Sequence, residues 1–312
     1  MKISMFMAAA LAVLISISAS AQTGQKPARE QYAERYNLLV NKLGTAGVGV
    51  ETLLDRWQTD YPDDPDMMAY RFLYYFTKSQ STQAVAKTQD KFLGQKPIIE
   101  LKDSSGNPVK YFQETFYDDD LFGKAVKEID KAIDKYPDRL DFRVDKISAY
   151  VAYEKESPDI ATMTIISLID YNGTQKPEWI YPDMEKVDAD FFDAMIQEYC
   201  VSFFRNASAR SYNAFMSISE RMLNYEPENV LFLDNMGSYF LVAENDSKAA
   251  LKYYNKVLKI KKDDLTAIQN CILLARKDKN AKLEKKYLEM MVKYGETPQQ
   301  KQAASLRLKQ LS

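Results

Sequence analysis

The stretch Leu233-Asp234-Asn235-Met236-Gly237-Ser238-Tyr239-Phe240 decides the fold. Large apolar residues recur there at helical spacing around one glycine. A polar break follows at Glu244-Asn245-Asp246-Ser247, and a second helical pattern carries Ala250, Tyr254, Val257 and Leu258. Small residues such as Gly237 and Ala250 let two helices approach closely. Large residues at i, i+3 and i+4 fill the space between successive pairs. One such pair cannot bury its apolar stripe alone, so neighbours must continue the stack.

Neighbouring segments repeat the pattern. Ahead of it, an amphipathic helix from Ala214 to Tyr225 closes on Glu226-Pro227-Glu228. Behind it, Leu265 to Ala275 and Ala281 to Tyr294 read as another pair, ended by Gly295. The endings Tyr61-Pro62-Asp63 and Tyr136-Pro137-Asp138 recur upstream. Proline stops a helix there because it disfavours helical geometry in the residue before it. Six pairs are predicted, at about 28–61, 65–136, 139–171, 184–225, 229–261 and 264–294. A last helix at about 298–311 would cap the open end.

Two segments break the period. An insertion at about 80–117 contains Pro97 to Lys102 and Val109 to Phe112 around a Gly106-Asn107-Pro108 turn, which predicts a β-hairpin. Asn172 to Pro182 reads as a loop carrying Trp179 and Tyr181.

The pattern of Leu233, Met236, Gly237 and Phe240, followed by Ala250, Tyr254 and Val257, resembles the tetratricopeptide repeat (TPR). It has one extra residue between the helices, and Lys262 stands in place of the closing proline. The span from Pro227 to Lys262 is close to the repeat period of ~34 residues. The organisation, with phrases such as Tyr136-Pro137-Asp138-Arg139-Leu140, is also similar to exported TPR proteins of Bacteroidetes-type bacteria. The resemblance implies an all-α, right-handed superhelical solenoid of antiparallel helix pairs that binds other proteins. It implies no reaction and supplies no catalytic residues. The best repeat lies at about 229–262.

The N-terminus reads Met1-Lys2, an apolar run from Ile3 to about Ile17, then Ser18-Ala19-Ser20-Ala21-Gln22. A short positive start, an apolar run and small residues at −3 and −1 predict a secretory signal peptide over residues 1–21. With no cysteine near the cleavage point, lipidation is not expected. The chain from 22 to 312 is expected to form one unit, periplasmic or secreted, with no stable membrane insertion after cleavage.

Composition narrows the chemistry. The 312 residues contain no histidine and two cysteines, and 42 basic residues nearly balance 44 acidic ones, for a net charge of −2. Histidine triads and histidine metal sites are thereby excluded, and the balance argues against nucleic-acid binding. Cys200 and Cys271 fall in helices two repeats apart, so no disulfide is expected. No phosphate-binding glycine loop, Gly-x-Ser-x-Gly elbow or Cys-x-x-Cys is present. Asp103, Ser105, Asn107 and Glu114 have calcium-loop spacing, but Pro108 occupies the required glycine position and a hairpin turn is the better reading. Asp118-Asp119-Asp120 is read as the cap of the following helix, with metal binding the lesser alternative. The lysines from Lys256 to Lys262 form a solvated helix face. No cofactor, metal or catalytic residue is expected.

The candidate binding residues are Asn235 and Asn270, 35 residues apart and one turn into the first helix of consecutive pairs. In TPR proteins that face lines the concave groove, where an asparagine amide can both donate to and accept from a peptide backbone. The leading expectation is a non-catalytic scaffold for a protein or peptide. The alternative is a glycan-binding or glycan-handling envelope protein using Trp179, Tyr181 and Tyr111 as stacking platforms.

The export reading carries its own test. The mature native protein is expected to begin at Gln22, and replacing Ala21 with a bulky residue is expected to block processing. N-terminal sequencing that returns Met1 would overturn it.

Overall fold

The repeated helix endings predict a repeated corner, and the computed structural model contains it four times. The structure describes residues 28–155, 157–182 and 187–311; the predicted signal peptide lies outside them. Thirteen helices follow in chain order among the described residues. The first three are α1 (Arg29–Leu43), α2 (Val50–Asp60) and α3 (Pro65–Lys78). Three strands come next: β1 (Gln80–Lys87), β2 (Ile99–Lys102) and β3 (Pro108–Tyr117). Then come α4 (Asp119–Lys135), α5 (Leu140–Glu154), α6 (Asp159–Gln175), α7 (Ala189–Asn206) and α8 (Ala209–Tyr225). The chain ends with α9 (Val230–Val242), α10 (Ser247–Ile260), α11 (Leu265–Lys277), α12 (Ala281–Tyr294) and α13 (Pro298–Gln310).

The corners join α2 to α3, α4 to α5, α8 to α9 and α10 to α11. In each, the residue after the helix has φ between −126° and −136°. Its N–H still donates to the helix: Tyr61 to Trp57 O, Tyr136 to Ala132 O, Glu226 to Met222 O and Lys261 to Val257 O, at 2.7–2.9 Å. Three residues on, the N–H of Asp64, Arg139, Asn229 or Asp264 donates to the carbonyl of that same residue, at 3.0–3.2 Å. The carboxylate or amide oxygen of Asp64, Asn229 and Asp264 then accepts from the first turn of the next helix, a cap of about 1 kcal/mol. Arg139 makes no such cap and instead pairs with Asp141 at 2.7 Å.

Burial follows the same linear logic. Four apolar clusters lie in chain order. The first, around Tyr36, Leu54 and Trp57, joins α1 to α3. The second, around Phe72, Phe122 and Ile129, joins α3 to α5. The third, around Ile165, Ile196 and Ile218, runs from α5 to α9. The fourth, around Tyr254, Ile268 and Tyr287, runs from α9 to α13. Cys200 and Cys271 are buried and free in the last two. α13 is fastened by Glu284, which accepts from both Arg276 (2.6 Å) and Arg307 (2.8 Å).

Two sequence expectations are corrected. The insertion is a three-stranded antiparallel sheet in the order β1-β3-β2, rather than a hairpin. The expected hairpin is present as β2 and β3, and its turn is closed by Asp103, whose Oδ1 accepts from the backbone N–H of Ser105 and Asn107. The unforeseen strand is Gln80–Lys87, which pairs with β3 along its whole length. It lacks an apolar alternation because it is exposed from Gln80 to Ala84. The second correction concerns Asn172 to Pro182. α6 continues to Gln175 and turns off at Lys176, at φ 49°. Gly173 lies inside that last turn, where a Cβ would stand 2.4 Å from the ring of Tyr225.

Gly237 plays the same part between α9 and α10: a Cβ there would stand 2.5 Å from the ring of the fully buried Tyr254. Gly237→Ala is therefore expected to destabilise the protein by about 1–3 kcal/mol. Gly123 has nothing within 4 Å of its Cβ position and sits inside α4. Gly123→Ala is expected to stabilise by about 0.5–1 kcal/mol. Thermal melts of the two variants should move in opposite directions; a shared direction would refute this packing account.

Candidate partner-binding face

The first helix of each corner-linked pair starts from a fixed cap, so positions can be counted from it. Asn235 sits six residues after the α9 cap Asn229, and Asn270 six after the α11 cap Asp264. The structure puts these equivalent residues in different environments. Asn235 is buried, at 6% exposure. Its Nδ2 donates to Gln197 Oε1 (2.7 Å) and to Ser219 Oγ (3.1 Å), and its Oδ1 accepts from Gln197 Nε2 (2.9 Å). Both amide groups are thus spent on joining α7, α8 and α9. Asn270 is half-buried and makes no side-chain hydrogen bond among the described residues. Of the pair, Asn270 keeps an amide free for a ligand.

Gln269, the neighbour of Asn270, borders an apolar groove. A cleft of about 360 Å³ runs between α11, α12 and α13, lined by Ile272, Leu273, Leu288 and Met291. Gln269, Arg276 and Gln300 stand on its rim. Leu273 is 54% exposed, and Leu231 on α9 is 44% exposed. First helices thus hold large apolar side chains open to solvent.

The same helices carry three carboxylates that apolar periodicity did not single out. Asp145 on α5, Asp193 on α7 and Asp234 on α9 form no salt bridge among the described residues. Burial pushes Asp145 up to about 7, helped by the neighbouring charge of Asp141. Burial and the adjacent Glu226 raise Asp193 above the ordinary carboxylate range. Its Oδ2 accepts from Asn229 Nδ2 at 2.6 Å, while its buried Oδ1 has no partner. Burial beside Asp264 pushes Asp234 up to about 8. A signal for two of them was present in the sequence. Phe191-Phe192-Asp193-Ala194-Met195 and Phe232-Leu233-Asp234-Asn235-Met236 share Phe, Asp and Met at matching positions, and both aspartates stand five residues after their caps. In both cases the carboxyl is buried against the next corner in the chain.

Of the aromatic residues of the alternative reading, Trp179 and Tyr181 are half-buried and make ring contacts within the fold. Trp179 Nε1 donates to Asn172 Oδ1 at 2.9 Å, and its ring lies parallel to Phe192. Tyr181 packs edge-on against Phe191. The segment bearing them is anchored to the α4–α5 corner, where Ile180 N–H donates to Asp138 O and Leu140 N–H to Ile180 O. Trp179 also borders an open cleft of about 510 Å³ with Tyr225 and Asp193. Tyr111 is half-buried on the sheet. Glu114, the last member of the calcium-like spacing, is taken by Lys155 (2.8 Å) and Lys87 (3.1 Å). No group of three or more His, Cys, Asp or Glu among the described residues is placed to hold a metal ion. No helix among them is long and apolar enough to cross a membrane.

Compared with known proteins, the chain matches no family model and no curated sequence.

The raised carboxyls predict a pH dependence of stability. Asp234 holds its proton to about pH 8 when folded, against an ordinary value of 3.8. Between those values the folded state binds a proton that the unfolded chain releases, so stability falls as pH rises through the folded value. The groups facing it are Asp264, which disfavours the charge, and Lys261, which favours it. Asp234→Asn is expected to raise the melting temperature at pH 9 relative to the parent and to leave it little changed at pH 5. An unchanged difference between parent and variant across that range would exclude the buried-carboxyl account.

Proposed function

We propose that this protein is a non-catalytic, TPR-like scaffold that binds a protein or peptide along the face formed by the first helices of its pairs. The observation that carries this reading is the corner itself. A fourfold recurrence of one backbone geometry, followed in three cases by a helix starting at a side-chain cap, is the kind of device by which repeat proteins rotate each unit by a constant amount on the last. Such rotation, in a right-handed superhelix, gathers the first helices on a concave inner surface. An extended segment would lie there, its backbone held by Asn270 and Gln269, its apolar side chains seated against Leu231 and in the α11–α13 cleft. Asn235 supports that surface by locking α7 to α9 and does not itself meet the partner. The leader-like segment at 1–21 supports a site of action in the periplasm or beyond it.

Site-specific photocrosslinking in cells tests the reading. A crosslinking amino acid at Leu273 is expected to capture a discrete partner, and one at Lys252, exposed on the second helix α10, is not. With the partner in hand, Asn270→Ala is expected to weaken binding by about 1–3 kcal/mol, because backbone groups of the ligand lose their partner. Capture from Lys252 and not from Leu273 would move the site to the other surface and defeat the proposal.

A further inference from the structure

The two edges of the inserted sheet differ in how they are protected. β2 is four residues long and carries Glu100 and Lys102, the brevity and charge that discourage further strands from adding. β1 is eight residues long, and Gln80-Ser81-Thr82-Gln83-Ala84-Val85-Ala86 contains no charge, proline or glycine. It pairs residue for residue with β3 from Gln80↔Tyr117 to Lys87↔Lys110, without a bulge. No strand among those described pairs with its outer side, and it is exposed from Gln80 to Ala84. Its one charge, Lys87, is already balanced by Glu114 at 3.1 Å. A long, straight, uncharged edge is a template for another strand.

We propose that β1 pairs antiparallel with β1 of a second copy of this chain, about a two-fold axis at Gln83 or Ala84. Symmetry requires the residue on such an axis to face its own copy. With Ala84 on the axis, Gln83 lies opposite Val85, Thr82 opposite Ala86 and Ser81 opposite Lys87. With Gln83 on the axis, Thr82 lies opposite Ala84 and Lys87 falls outside the paired run from Gln80 to Ala86. Neither arrangement sets two like charges against each other. The product is a six-stranded sheet in the order β2-β3-β1-β1-β3-β2. Its two outer edges are both β2, the short charged strand, so growth stops at two copies. This self-limiting outcome selects a second copy over an unrelated strand. The proposal rests on the sheet alone and is independent of the partner-binding face.

The pairing is short, so association is weak and is read at high concentration. Sedimentation equilibrium of the whole chain from about 10 μM to about 1 mM is expected to show the average mass climbing toward twice the monomer value. Ala84→Lys and Ala84→Glu each place like charges across the two-fold and are expected to remain monomeric at the same concentrations. An equimolar mixture of the two is expected to associate again. Ala84 is exposed, so both variants should keep the parent circular dichroism spectrum and melting temperature, which checks their folding. As a second measurement, either Gln83→Cys or Ala84→Cys is expected to form an intermolecular disulfide, since Cys200 and Cys271 are buried. A parent protein that stays monomeric at the highest concentration, or charge variants that associate as well as the parent, would overturn the proposal.

Discussion

Four of the helix junctions in this molecule rest on one corner, in which a single residue's backbone serves both helices. The residue after α2, α4, α8 and α10 keeps its N–H on the finished helix and offers its own carbonyl to the N–H of the residue that starts the next. The carbonyl is thereby satisfied without water, and the direction of the following helix is fixed before any side chain packs. Proline at the following position, as in Pro62, Pro137 and Pro227, removes the N–H that would otherwise continue the helix. Lys262 shows that proline is dispensable: the corner at Lys261 has the same hydrogen bonds without it. The cap at Asp264, not the ring of a proline, is the more general specification.

This explains why the helices were readable from the sequence. Corners are local, and their residues announce them. The boundaries expected at Tyr61, Tyr136, Tyr225 and Lys261 fall within a residue of the observed ends, and the capping helix expected at 298–311 spans Pro298–Gln310. The failures share one cause, which is dependence on a partner distant in sequence. β1 is a strand because β3 exists more than twenty residues later; its own residues prefer nothing strongly. Asn235 looked solvent-facing because asparagine on a helix usually is, yet Gln197, on another helix, supplies a complementary amide and draws it inside. Gly173 looked like a loop residue until the ring of Tyr225 gave it a reason to be helical.

The proposed partner-binding face was half legible. Counting from caps located Asn235 and Asn270 at one register, and the structure keeps that equivalence in the backbone while breaking it in environment. The aspartates were overlooked because apolar periodicity treats a charged residue inside a helix as belonging to the solvated side. In α7 and α9 they instead point at the next corner, where Asn229 and Asp264 stand. Buried carboxyls at a joint between helix pairs cost stability when ionised, so these joints carry charge-sensitive seams that the smooth apolar parts of the interior lack.

The division of the interior into four clusters has a consequence for how the chain acquires its structure. Leu223 and Phe240 border both the third and the fourth cluster, and Met68 and Tyr75 border both the first and the second. Between such shared residues, contacts are made almost wholly within one or two helices of the same place in the chain. Little loop entropy must be spent before the first contacts form, and a nucleus can start at any pair and spread outward. The inserted sheet is the exception, because β1 must wait for β3. The same sparse sharing means that coupling between clusters is carried by a few side chains, so the N-terminal and C-terminal clusters are expected to open with different free energies.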